Sequence, residues 1–482
     1  MKTYNLMTNS YVLALGLATS LAIGACGGAQ KKSGGSSGGG GGDVPPPPTA
    51  KGDTGDSKPA PKREVSKDAK ADYASALSFF QTNDKSGWNE SACKQSAEKF
   101  QSIAREHSDL IEAQFMVGLS FHKCGLLDDA ERAYQATTNM KGDPKKIAMA
   151  TSMLGDIYFV RGKVDGARQY WDNAVKTNGK LVGARIGMAL MDLDQMRKIG
   201  NPKDANWLKA EDDAKIQLSS ALGVETDSVE AYTQYGMLYM EGWQSNKDRL
   251  TLAKTLLDEG KKRNEKYAPL QNAYGLYYMH RGSLNQALQA FQAAVDVDPK
   301  YVEARMNAGQ LTLSFRKYDT AKELFGKVLE LAPKNYDAMI GLGVAQRGLG
   351  DLDGAEASYK KAQSQDSKRG DAYYNLGVLY KDFRATKPND PDPIKALRQS
   401  IEKYKQAKDF FSQFLDKDGA ANDKEEAKKN VADCDKNVKQ LEAAIVSIQN
   451  APKMPDAPPA PTPAPTPGAG SDAPAPAAPD KK

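Results

Sequence analysis

The chain has 482 residues, 40% hydrophobic and 26% charged, with 66 basic and 61 acidic side chains for a net charge of +5. That near balance, without a lysine/arginine block, leaves no basic stripe and excludes nucleic acid as the expected partner. The three histidines and four cysteines show no metal-ligand spacing, and no phosphate-cradling glycine loop or serine nucleophile elbow is present, so no cofactor, no metal and no catalytic residue is expected.

In chain order, residues 1–25 read as a signal peptide. Lys2 supplies a weakly charged start, and Tyr11 to Ile23 is an apolar stretch too short to span a bilayer. Ile23-Gly24-Ala25-Cys26 then resembles the lipobox of bacterial lipoproteins. The resemblance implies cleavage before Cys26 and lipidation of its thiol, which would anchor the chain to a membrane. Gly27 follows. In such lipoproteins an aspartate there often signals inner-membrane retention, so the resemblance favours the outer membrane, with the protein facing the periplasm. Residues 26–70 read as a disordered tether, with a glycine/serine run from Ser33 to Gly42 and prolines Pro45–Pro48.

Residues 71–450 read as helical throughout. A degenerate unit comes first, with Ser96 and Phe100 at the places later units give to alanine and an aromatic. Ile111 opens a unit with Gly118, Phe121, Ala130 and Tyr134, and Ala148 opens one with Gly155, Tyr158, Ala167 and Trp171. Val182 opens another, with Ala189, Ala214 and Leu218, whose turn is expected to be swollen around Asn201-Pro202. Val229 opens a unit with Gly236, Ala253 and Leu257 that reaches Ala268 after 39 residues. Three regular units of 34 residues then start at Ala268, Val302 and Tyr336. Gly275, Gly309 and Gly343 align, as do Ala287, Ala321 and Ala355, and Phe291, Phe325 and Tyr359. Gly370 opens a last unit, with Gly377 in the glycine column, Pro388, Pro391 and Pro393 in its turn, then Ala407 and Phe411. A capping helix is expected near Glu425–Ile448. Residues 451–482 form a proline/alanine-rich tail expected to be disordered and extended.

A period of 34 with these columns resembles the tetratricopeptide (TPR) repeat. The expected fold is therefore all-α, a TPR α-solenoid of about eight or nine helix-turn-helix repeats. The small residue on the first helix lets the second approach, and the aromatic fills the space between repeats.

In TPR proteins the first helices line a concave groove. The resemblance assigns the partner-binding groove here to Phe115, Leu119, Met153, Phe159, Met237, Met240, Leu276, Met279, Met306, Gln310, Arg347, Tyr374, Asn375 and Lys381. Together with Met116 and Met149 that face holds seven of the fifteen methionines, whose flexible thioethers suit an adaptable apolar ligand face. Asn272, Asn307 and Asn375 match part of the TPR carboxylate clamp, but its lysines are missing. His122 and His280, at first-helix ends, are expected to be solvated or hydrogen-bonded. In a TPR stack Cys93 and Cys124 fall at one level of antiparallel neighbours, so they form a possible disulfide in an oxidising compartment; the alternative is two buried thiols.

The resulting expectation is a non-catalytic scaffold, not an enzyme, that holds other envelope proteins through its groove. Its layout resembles that of the TPR lipoproteins of the myxobacterial adventurous gliding-motility complex. The alternatives are a pilotin-like or barrel-assembly lipoprotein chaperoning an outer-membrane client, or an accessory to a cell-wall enzyme. The sequence leaves the oligomeric state open.

Overall fold

The structure is a computed structural model that describes residues 67–417 and 421–450. The expected signal peptide, Cys26, all but the last four positions of the tether, and the proline/alanine tail lie outside the described residues.

The described residues form helical hairpins. They are α1 (Lys67–Ser86) with α2 (Glu90–Glu106), α3 (Ile111–His122) with α4 (Leu127–Thr138), α5 (Pro144–Val160) with α6 (Val164–Thr177), and α7 (Val182–Ile199) with α8 (Ala205–Val224). There follow α9 (Val229–Met240) with α10 (Asp248–Arg263), α11 (Ala268–His280) with α12 (Leu284–Val297), α13 (Val302–Ser314) with α14 (Tyr318–Leu331), and α15 (Tyr336–Gly348) with α16 (Leu352–Gln365). A second compact unit starts at Asp366. It holds α17 (Asp371–Val378), a π-helical stretch Leu379–Arg384, α18 (Pro393–Leu415) and α19 (Ala421–Gln449).

Local chemistry sets the helix ends. The Asn89, Asp143, Ser228 and Asn335 side chains accept from backbone N–H groups of the first turn, satisfying donors that have no partner within the helix. Pro144 and Pro393 sit in the first turn, where a missing N–H costs nothing. The turn inside each regular hairpin needs one residue in the left-handed region. Glycine supplies it at Gly125, Gly162, Gly282 and Gly350, while Arg316 takes the same place with φ 56°.

The repeat columns become the core. Trp171, Tyr134, Tyr359, Phe100, Phe291, Phe325 and Phe411 are all fully buried, and each is an aromatic-column residue. The glycine column makes room for them. A Cβ on Gly155 would stand 2.6 Å from the Trp171 ring, and one on Gly309 would stand 2.8 Å from Phe325. Trp171 is gripped from the other side by Gly187 of the following unit, where an added Cβ would again come within 2.6 Å. Each ring thus ties its own hairpin to the next, which is how repeats that cannot bury a core alone acquire one. In the two irregular units Leu218 and Leu257 fill the aromatic place and are equally buried.

The turn expected to swell after Val182 does not. Its extra residues lengthen the helices instead: α7 has 18 residues and α8 has 20. Gly200 in the left-handed region ends α7, Asp204 caps α8, and the added turns bury Met196 against Trp207 and Ala210. The insertion after Val229 does lie in the connection, between Met240 and Asp248. Gly242 of that connection packs on Trp207 and Pro202. Arg249 binds Glu211 at 2.5 Å and the Glu241 carbonyl at 2.6 Å, while Arg197 reaches the Glu241 carboxylate at 2.7 Å.

Candidate functional site

Within the first unit, each odd-numbered helix from α3 to α15 touches the next odd-numbered helix. Among the described residues, no two even-numbered helices do so to the same degree. The array therefore curves with its odd-numbered helices inside. The curvature is strong enough to bring the α1–α2 turn round to the α12–α13 turn: a Cβ on Gly87 would stand 3.4 Å from Lys300 Nζ.

Tight curvature decides which expected groove residues are accessible. Phe115, Leu119, Phe159, Met240 and Leu276 are buried, at 3% to 7% exposure. They are core residues, not groove residues. They sit on the expected face, but neighbouring first helices close over them: Phe115, Leu119 and Phe159 pack in one core cluster and Met240 and Leu276 in another. Met153, Met237, Met279, Met306, Gln310 and Arg347 are half-buried and keep an accessible edge.

The second unit holds Tyr374, Asn375 and Lys381, and each is engaged inside it. The Tyr374 ring packs on Phe411 and Phe414, with centroids 5.6 and 5.3 Å away. Asn375 donates to the Asp371 carbonyl at 2.9 Å. Lys381 Nζ donates to Asn430 at 2.6 Å and lies 3.6 Å from Asp433, both on the capping helix α19. These contacts tie α17 to α18 and the π-helical stretch to α19, and they explain three polar or aromatic side chains without a ligand.

The inner face also carries two carboxylates outside the expected groove set. Asp156 follows the column glycine of α5, and its Oδ1 accepts from Trp171 Nε1 at 2.8 Å. Burial raises its carboxyl to about 7. Glu230, the second residue of α9, is also raised to about 7, first by burial and then by the negative charges of Asp156 and Glu225. Further along, Asn307 donates to Asn272 at 2.8 Å. Repeat position is the signal that finds the carboxylates: Asp156 is equivalent to Met237, and Glu230 to Met149, both on the face assigned to the groove.

His122 is buried rather than solvated, with Nδ1 3.3 Å from the Tyr134 hydroxyl, and burial lowers it to about 4. The His280 ring packs at a tilt against Trp243, with centroids 5.2 Å apart. Cys93 and Cys124 are joined as a disulfide, their Cα atoms 6.3 Å apart. Among the described residues, no group of three or more His, Cys, Asp or Glu side chains is placed to hold a metal ion, and no helix is long and apolar enough to cross a membrane.

A curved stack of helical hairpins with the first helix of each on the inner side defines a TPR α-solenoid, and the chain carries tetratricopeptide repeats. Residues 96–180 and 272–315 match one tetratricopeptide-repeat family and residues 312–378 another. A search of curated proteins found no match. Among solved structures, the chain is similar to the thermophilic TPR protein TTC0263 of Thermus thermophilus at 22% identity, covering 42% of this chain and 99% of that one with a TM-score of 0.36. It is similar to YrrB, described as a TPR protein with an unusual peptide-binding site, at 19% identity, 40% and 91% coverage and a TM-score of 0.32. Pseudomonas aeruginosa pilF is matched at 16% identity, 53% and 99% coverage and a TM-score of 0.33.

Proposed function

We propose that this chain is a non-catalytic protein-interaction scaffold, anchored by lipid on Cys26 to the outer membrane and facing the periplasm. The observation that carries the binding role is the inner face of the first unit. Met153, Met237, Met279 and Met306 keep accessible edges there, and thioethers on a curved rigid frame suit an apolar segment of a partner. The anchor is supported by Ile23-Gly24-Ala25-Cys26. An oxidising compartment is supported by the Cys93–Cys124 disulfide, since such bonds persist outside the reducing cytosol. The layout of lipobox, tether, TPR array and tail favours an envelope-spanning machine, with gliding motility as the finer reading.

The test is a crosslinking pull-down from intact cells with a Met237→Glu/Met279→Glu variant. Recruitment of the partners should be lost while helical content and melting temperature stay near those of the parent. Folded variant protein that still recruits every partner would contradict the assignment. Fractionation of Cys26→Ser tests the anchor separately: it should leave the outer membrane, and a variant that remains there with the mature mass places the anchor elsewhere.

A further inference from the structure

Lys300 stands where the curved array meets itself. In the first unit every extensive contact between helices joins elements one or two places apart in the stack, yet the α1–α2 turn also meets the α12–α13 turn. Gly87 ends α1 in the left-handed region, and its N–H donates to the Asn83 carbonyl at 2.8 Å. The last carbonyls of a helix have no donor within it and form the negative end of its dipole. Lys300 Nζ lies 3.4 Å from where a Gly87 Cβ would be, so its positive charge faces the carbonyl end of α1. The lysine is presented by its own turn, where its backbone N–H donates to Asp298 Oδ1 at 2.9 Å. Both Gly87 and Lys300 are exposed, so water and salt screen the attraction and keep it weak.

The root of the same hairpin is fastened firmly. The Cys93–Cys124 disulfide ties α2 to the turn after α3. Lys123, with 12% side-chain exposure, binds Asp84 at 2.7 Å and stands 5.8 Å from the centroid of the Phe80 ring. Phe80 packs on Trp88, with centroids 4.8 Å apart. The hairpin therefore combines a rigid root with a weakly held tip.

We propose that the α1–α2 hairpin is an electrostatic clasp that sets the curvature of the first unit, and through it the exposure of the methionines on the inner face. A repeat stack flexes by small changes at each interface, so one contact across a whole turn restrains many interfaces at once. With the clasp closed, the odd-numbered helices crowd together. With it open they fan apart, and half-buried Met237 and Met279 gain exposure.

The test needs no partner. The full-length chain carries a keto amino acid at Ser86 and another at Asp296, each coupled to a spin label, so the native cysteines stay untouched. Double electron–electron resonance reads the distance across the closure. Peroxide footprinting with mass spectrometry reads the oxidation rates of Met237 and Met279. In about 0.05 M salt the parent should show one short, narrow distance, and about 1 M salt should move a fraction of the molecules to longer ones. Lys300→Glu sets a negative charge against the negative end of α1 and should lose the short distance at low salt, while Lys300→Arg should keep it. In Lys300→Glu, Met237 and Met279 should oxidise about twofold faster, with Met188, at 1% exposure, unchanged. Cys93→Ala/Cys124→Ala, which frees the root, should broaden the distance. A distance that neither salt nor Lys300→Glu alters overturns the clasp, and so does an opened distance with unchanged oxidation of Met237 and Met279.

Discussion

At the residue scale, the hairpin turn isolates backbone strain from packing. Gly282 has φ +73°, and a Cβ added there would meet nothing within 4 Å, so a side chain opposes only the left-handed backbone. Gly282→Ala should therefore cost about 1 kcal/mol, with no cavity or clash contribution. The reciprocal change, Arg316→Gly, relieves φ 56° and should gain about 0.5–1 kcal/mol despite the added freedom of the unfolded chain. Urea melts of both variants check this, and equal signs for the two would contradict it. Asp156 gives a pH signature. Its carboxyl is raised to about 7 in the fold, so from the ordinary carboxylate range up to about 7 the folded chain holds a proton that the unfolded chain has lost. Stability therefore falls as pH rises through that window. Asp156→Asn keeps an acceptor for Trp171 Nε1 and removes the charge. It should melt higher than the parent at pH 8, and the gain should shrink markedly at pH 5. A gain equal at both values would rule out the titration.

At the element scale, two kinds of contact hold the array. The aromatic column joins consecutive hairpins, so Phe291→Ala, at a fully buried ring, should cost about 3–5 kcal/mol and loosen the array around α11 and α12. Hydrogen exchange should show that loss spreading to neighbouring hairpins before distant ones, because a solenoid is stabilised by nearest-neighbour interfaces. The irregular units use an ion-pair network instead. Arg249, with 12% side-chain exposure, binds Glu211, with 6%, and Arg249 also satisfies two backbone carbonyls. Arg249→Ala should cost about 3 kcal/mol, since it leaves the buried Glu211 carboxylate with Lys215 at 3.1 Å as its remaining cation and removes the donor to two backbone carbonyls, whereas Arg249→Ala with Glu211→Ala should recover part of that loss. A double variant as unstable as the sum of its parts would show that the pair is not coupled.

At the scale of the whole molecule, the sequence reveals contacts better than depth. Gly155 and Trp171, or Gly309 and Phe325, touch within one hairpin, so a fixed period writes their pairing into the chain. The long α7 and α8 look like a swollen turn in the sequence because spacing counts inserted residues without saying whether they extend a helix. Phe115 and Leu276 lie on the expected face but at a different depth, since depth depends on how tightly successive hairpins curve, which no single repeat encodes. Asp156 and Glu230 escape a search for apolar anchors because they are carboxylates standing in the same columns. The central claim is that partners lie on the inner face of the first unit. The most direct measurement places a photo-crosslinking amino acid at Met237 on that face, or at Ile216, which is 58% exposed on the outer helix α8, and irradiates intact cells. Partner adducts from position 237 and none from 216 are the predicted result; adducts from 216 with none from 237 would contradict it.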